Sequence, residues 1–339
     1  MSSRSSSRPL GVLAATVTTL SWGGMFVVAE SAFPHVDAVW QTAIRYGAAS
    51  VVFLALLALR EGPGAFARSR ELLSVSVLGT VGFAGFNLLA FVGLRHTTPQ
   101  AASLIVSTMP LITAFVLWAR TGVRPRGSTW ATSAAALVGV ATVLGDGDPT
   151  LVLHGGVGWG DQLVLLGAAS WVIYTTGAAG FPGWSPLRYT ALSATAGSIV
   201  IVAVAVSLSA AGVLVVPTAA DVAAIGWQLA YVVVLAAVVA VLCWNHAMRV
   251  LGAQDGVLFI NLVPVTTFTI EALRGDAPHT GELLGVGITL AALVANNLLA
   301  RRAQRSAATS SATAAIPRRT SSNDVDSGES PILSPSGSR

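Results

Sequence analysis

The chain has no lysine: all 19 of its basic Lys/Arg positions are arginine. A phosphate-binding P-loop needs its lysine at the phosphates, and a pyridoxal Schiff base needs a lysine amine. Both are excluded. Cysteine is nearly as scarce. The single one, Cys243, lies in an apolar run, so there is no internal disulfide and no cysteine-based metal site. The five histidines are scattered and never take the HExxH spacing of a zinc hydrolase. No metal or cofactor is expected. Charge is also thin. Only 10% of the residues are charged, where a soluble domain carries about 25%.

Apolar sequence fills the space. The chain is 53% hydrophobic, with a mean hydropathy of +0.71, and it is read as an all-α integral membrane protein. Crossing the hydrocarbon core takes about 20 mostly apolar residues. Ten such segments occur, near 10–31, 37–59, 72–94, 98–119, 127–145, 158–178, 186–208, 221–247, 254–273 and 280–300. They are continuous runs, without the alternation of a membrane β-barrel. The first follows Arg4 and Arg8, as a signal peptide would, but its apolar part is too long for one, and it is read as a retained helix. Residues 1–9 precede it. From 302 to 339 the text turns Ser-, Ala- and Pro-rich, the composition of a disordered tail.

The arginines set an orientation. With the N-terminus in the cytoplasm, sixteen of them fall on cytoplasmic segments. Arg95 and Arg274 fall outside, and Arg45 falls within a helix. Under the positive-inside rule both termini are expected in the cytoplasm. The same scatter over short loops argues for a lipid bilayer, and against nucleic acid, as the partner of the net charge of +4.

The chain repeats itself. LSWGGMF around Ser21-Trp22 is echoed by ASWVIYT around Ser170-Trp171. QTAIRYGAASVV (41–52) lines up with YTALSATAGSIV (189–200), and PQAASLIVSTMP (99–110) with AQDGVLFINLVP (253–264). The order is kept at an offset of about 150 residues, the mark of a duplication. Two copies are expected, 10–145 and 158–301, joined by an outer loop at 146–157. Five helices per copy is odd, so the second copy enters from the opposite side and the repeats are inverted. Inverted repeats place a solute site near the midplane between the halves and supply two mirror-related states.

Two five-helix halves, each opening on a Ser-Trp element, resemble the EamA family of the drug/metabolite transporter superfamily. WQTAIRYGAAS resembles that family's second helix, Arg45 included, and WNHAMRVLGAQDGVLFINLVPVTTFTIEALRGDAP resembles its eighth and ninth. The resemblance covers roughly 10–301. It implies a ten-helix transporter of the bacterial inner membrane, and it implies export. Where the family often has Gly-Glu after each half's Pro-containing helix, this chain has Gly275-Asp276 in the second half and no acid in ARTGVRP of the first.

Six residues stand out as a solute-binding set. Arg45, about nine residues into its helix, costs on the order of 3 kcal/mol to insert. It either meets a solute carboxylate or gating partner, or bonds helix-end carbonyls. Trp22 with Phe26, and Trp171 with Tyr174, form matched aromatic stripes that either line a cavity, or pack between repeats or against lipid. Asn87 and Asn261 fall mid-helix and either contact solute or bond between helices. Glu30, Asp161 and Glu271 lie near outer helix ends, as solvated termini or as carriers of a coupling proton. Pro110 and Pro264 are expected to bend their helices, and Gly79, Gly82, Gly85, Gly281 and Gly285 to permit close helix contact.

The expected function is secondary transport of a small amphipathic metabolite, such as an amino acid, or of a drug-like solute, by alternating access. A membrane scaffold or channel is the alternative. Membrane-embedded catalysis would need a midplane constellation of acid, base and nucleophile, and the sequence offers none. One chain contains both repeats, so a monomer suffices and a dimer remains open.

Overall fold

The computed structural model describes residues 3–67, 70–151, 157–251 and 257–314. Their regular structure is helical, with no strand among the described residues. Helix α1 spans Ser3–Ala32 and α2 Ala38–Glu61. Helix α3 spans Leu72–Leu94, interrupted by a π-helical stretch at Thr80–Gly85. Helix α4 is a pair, Pro99–Ser107 and Met109–Thr121, bent by 41°. Helices α5 (Gly127–Leu144), α6 (Trp159–Gly177) and α7 (Pro186–Ala210) follow. Helix α8, Gly226–Met248, carries a second π-helical stretch at Tyr231–Val239. Helix α9 spans Leu262–Arg274 and α10 Thr280–Ala314.

Among the described residues seven helices are long and apolar enough to cross a membrane, or eight if the bent α4 counts as one span. The other expected segments fall on α9, of 13 residues, and on α10, whose apolar part is Thr280–Asn296. The expected helix at 254–273 is shortened because 257–261 form a 3-10 turn before α9. The one expected at 221–247 is broken at Ile225, behind a short helix, Ala219–Ala224, capped by Thr218 and Asp221. The bend in α4 has a plain cause. Pro110 has no backbone N–H to donate into the preceding turn, so the helix breaks at Thr108 and restarts with the proline in its first turn. Pro264 stands likewise in the first turn of α9.

Helix packing crosses between the halves of the sequence. Helix α1 lies against α8 and α9, and α6 lies against α3 and α4. Helix α2 packs on α7 and on the π stretch of α8, while α7 packs on α3 and α4 meets α9. Exchanging the first five helices for the second five returns the same set of pairs, as a pseudo-two-fold requires. Close approach at these crossings depends on glycine. A Cβ at Gly139 of α5 would come within 2.6 Å of the Gly285 carbonyl of α10, and one at Gly93 within 2.6 Å of that of Gly160. The buried apolar residues form two large clusters, one around Phe26, Phe91, Leu104 and Val263, the other around Phe53, Phe83, Tyr174 and Ile201.

By its contacts the chain divides into residues 1–300 and residues 301–339. In the second unit 301–314 are helical, and 315–339, the rest of the expected disordered tail, lie outside the described residues.

Candidate functional site

The two Ser-Trp elements sit on α1 and α6, and their serines behave alike. Ser21 Oγ donates to Val17 O (2.7 Å) and Ser170 Oγ to Leu166 O (2.9 Å), each one turn back in its own helix. A hydroxyl satisfied this way tolerates an apolar setting and tends to bend its helix. Each serine is followed by a tryptophan turned toward the space between the halves.

Two chambers occupy that space. The smaller, of about 160 Å³, is lined from seven helices: Trp22 and Phe26 from α1, Arg45 and Tyr46 from α2, Phe86 from α3, Met109 and Pro110 from α4, Trp171 from α6, Trp244 from α8 and Val263 from α9. The larger, of about 400 Å³, shares Trp22, Trp171, Thr175, Val241 and Trp244 with it and continues past Tyr174, Tyr189 and Thr190 to Trp184, Ser185 and the exposed Pro186. The chambers therefore follow one another through an aromatic waist toward the α6–α7 turn. At that end Trp184 Nε1 and Ser185 Oγ donate to Glu71 and Glu61.

Arg45 is the charged residue among the described residues lining either chamber, and none of those residues is acidic. It lies about 12 Å along α2 from the capping Asp37, at 1.5 Å per residue, with 2% of its surface exposed. Its Nη2 donates to Tyr46 Oη (3.2 Å), while Nε and Nη1 have no hydrogen-bond partner. Its guanidinium lies 4.8 Å from the Tyr46 ring centre and 5.0 Å from that of Phe91. Aromatic faces offset part of the desolvation of a cation, but no counter-charge completes the offset.

The tryptophans differ in their bonds. Trp22 Nε1 donates to Ala236 O (3.1 Å) and its ring lies 5.3 Å from Trp244. That carbonyl is freed of its usual donor because the π stretch sends the Ala240 N–H to Leu235 O, one residue farther back than the α-helical acceptor, Ala236 O. Trp171 makes ring contacts with Phe83, Phe86 and Tyr174 at 5.2–5.5 Å, and its indole N–H makes no hydrogen bond among the described residues. Tyr174 stacks on Tyr189 (5.2 Å, 16°), its hydroxyl 3.1 Å from Ser193 Oγ.

Four of the six sequence-nominated residues thus come together: Trp22, Arg45 and Trp171 on the smaller chamber, with Trp22, Trp171 and Tyr174 on the larger. Asn87 and Asn261 line neither. Asn87 is fully buried and turns its Nδ2 onto Phe83 O (2.8 Å) of its own helix. Asn261 is buried just ahead of α9, with both amide atoms unpartnered. Glu30 and Glu271 gather with Arg274 and Asp276 away from the chambers, and Asp161 caps α6 while accepting from Thr97. The sequence reading missed Tyr46, Phe86 and Trp244. Tyr46 adjoins Arg45 and Trp244 opens the WNHAM stretch, so both carried a signal; Phe86 carried none beyond its glycine-rich neighbourhood.

The end away from the α6–α7 turn is tied together. Arg95 pairs with Asp37. Thr97 donates to Asp161, and Gln100 Nε2 donates to Asp276 (3.2 Å), both across the halves. His96 packs on Trp159 at 3.9 Å.

The profile of the EamA-like transporter family matches residues 9–145 and again 158–298. The chain belongs to this family. It is 30% identical over 301 residues to the uncharacterized transporter YrdR of Bacillus subtilis, covering 86% of this chain and 92% of that one. The uncharacterized transporter YyaM of the same organism is 28% identical over 78% of this chain and 85% of its own. The uncharacterized inner membrane transporter YedA of Escherichia coli is 22% identical over 80% and 86%. One solved crystal structure shares the fold with a TM-score of 0.61, at 21% identity, over 87% of this chain and 99% of that one. With its apolar helices, the EamA membership makes this chain a multi-pass membrane transporter.

Proposed function

We propose that the chain is a secondary transporter of the bacterial inner membrane that exports small amphipathic metabolites, amino acids or related compounds, or drug-like solutes, by alternating access. In this reading it spans the membrane ten times as two inverted five-helix repeats, with both termini cytoplasmic. One observation carries it: aromatic-lined chambers lie between the halves and extend toward one end of the bundle, while the residues cross-tied near the other end line neither chamber. The arginine bias puts the α6–α7 turn on the cytoplasmic side, so this state receives solute from the cytoplasm. Opening the other end requires releasing Thr97–Asp161 and Gln100–Asp276. The P-loop lysine has no counterpart in the sequence, and an ion or solute gradient supplies the energy.

Two measurements test the reading. A cytoplasm-active reporter fused after Arg302, and an exterior-active one in the 146–154 loop, should both give signal. Opposite signals at both would overturn the orientation. In proteoliposomes, a labelled solute inside should exchange against unlabelled solute outside. Uptake that rises linearly with concentration and shows no such exchange would mean a channel, and no uptake from a broad panel would mean a scaffold.

A further inference from the structure

The smaller chamber selects its solute by charge: we infer that it binds a monoanion with a flat apolar body about one ring in size, and rejects zwitterions and cations of the same shape. This rests on the transport reading, in that the chamber is taken as the solute's seat. It narrows that reading, because free α-amino acids become poor substrates.

Size comes first. A cavity of about 150 Å³ holds benzene, and this one has about 160 Å³. Trp22, Phe26, Phe86 and Trp171 offer flat apolar faces around it. Charge comes second. Arg45 is one of the residues lining the chamber and is 98% buried, its Nε and Nη1 are left without a hydrogen-bond partner, and there is no acid among the described lining residues. A desolvated guanidinium with free donors is completed by a carboxylate through charge-assisted bonds. The site has room for one such group, since Arg45 is the charged residue of the described wall; its other polar groups are neutral, namely the Tyr46 hydroxyl, the tryptophan indoles, and Thr113 and Thr175, whose hydroxyls donate to their own helices.

A zwitterion fails on geometry. In an α-amino acid the ammonium sits on the carbon next to the carboxylate, so seating the carboxylate on Arg45 brings a second positive charge beside the first. In a dry chamber that repulsion is poorly screened, and no carboxylate stands by to offset it. A primary amine of the same shape meets the repulsion without the attraction. The aromatic walls do attract cations, but Arg45 already draws on Tyr46 and Phe91.

The test uses purified full-length protein and four probes sharing a phenyl ring and short chain: 3-phenylpropionate, 3-phenylpropanol, phenylalanine and phenethylamine. Calorimetric titration should find the acid tighter than phenylalanine and phenethylamine by about tenfold or more. Arg45→Lys keeps the charge but loses the planar fork. It should weaken the acid by about tenfold while leaving the alcohol unchanged, which also reports that the chamber is intact. Should the variant fail to fold, the ranking of the four probes on the wild type decides alone. Phenylalanine or phenethylamine binding as well as the acid would overturn the inference, as would an acid affinity unmoved by Arg45→Lys, or no binding by any probe. Transport separates the two readings. Arg45-dependent binding without proteoliposome transport sinks the transport function and leaves the anion site; equal binding and transport of all four does the reverse.

Discussion

The two copies of the repeat share a backbone plan and differ in chemistry, and the candidate site lies where they differ. Helices α3 and α8 hold corresponding places, and each carries a π-helical stretch facing a Ser-Trp element. In the second copy the stretch releases the Ala236 carbonyl, which Trp22 takes. In the first, the Phe86 N–H bonds both Gly82 O and Phe83 O, so the corresponding carbonyl is occupied and Trp171 makes no such bond. The register that pairs Pro110 with Pro264 also pairs Gly82 with Ala236. At Gly82 the missing Cβ lets Tyr174 come close instead. Arg45, matched to Ser193, is the sharpest departure. Ser193 is satisfied by Tyr189 O and Tyr174 Oη, whereas Arg45, which lines the smaller chamber, keeps two unpartnered donors. Duplication supplies the cavity by symmetry; substitution on one side supplies its polarity.

Three pairs of variants would break or sharpen this contrast. The largest effect is expected at the polar pair. Arg45→Ala should lower proteoliposome transport of a carboxylate solute by on the order of 100-fold, and Ser193→Ala by less than about threefold. Similar losses for both would mean that the asymmetry is structural rather than a feature of recognition. At the matched π-stretch positions, a Cβ at Gly82 would meet Tyr174 Cβ at 2.3 Å, so Gly82→Ala should cost about 1–3 kcal/mol through overpacking. The reciprocal Ala236→Gly should cost only about 0.5–1 kcal/mol. Thermal unfolding in detergent reads both, and equal shifts would show that α6 can move off α3 without loss. The smallest contrast is between the tryptophans. Trp22→Phe removes the bond to Ala236 O and should cost about 1 kcal/mol, while Trp171→Phe removes no hydrogen bond and should stay within about 0.5 kcal/mol. A larger cost at Trp171 would point to an acceptor that the indole reaches in another state.

Much of this was legible beforehand. The apolar runs marked the helices because a backbone in hydrocarbon has few other ways to satisfy itself. Pro110 marked the break in α4 because a missing N–H acts locally. The paired Ser-Trp elements marked α1 and α6, and the cost of burying Arg45 marked it for a cavity. Other features left no local trace. A π turn depends on which neighbour claims a freed carbonyl, so neither stretch could be read from TVGFAG or YVVVLAAVV. Asn87 and Asn261 showed that polar groups lay in apolar helices, not where those groups point, and both line neither chamber.

By itself the sequence determined the class, the duplication and the residues too costly to bury without purpose, because hydropathy, repeat register and charge are properties of the chain read in order. Only the tertiary structure decided which aromatics share a chamber, that Arg45 meets no acid, and which end is tied shut. Those depend on contacts between α1 and α8, α3 and α6, and α2 and α7, each bringing together residues far apart in the chain. A charge is left unpaired only by what fails to arrive beside it, and that is settled when the helices pack.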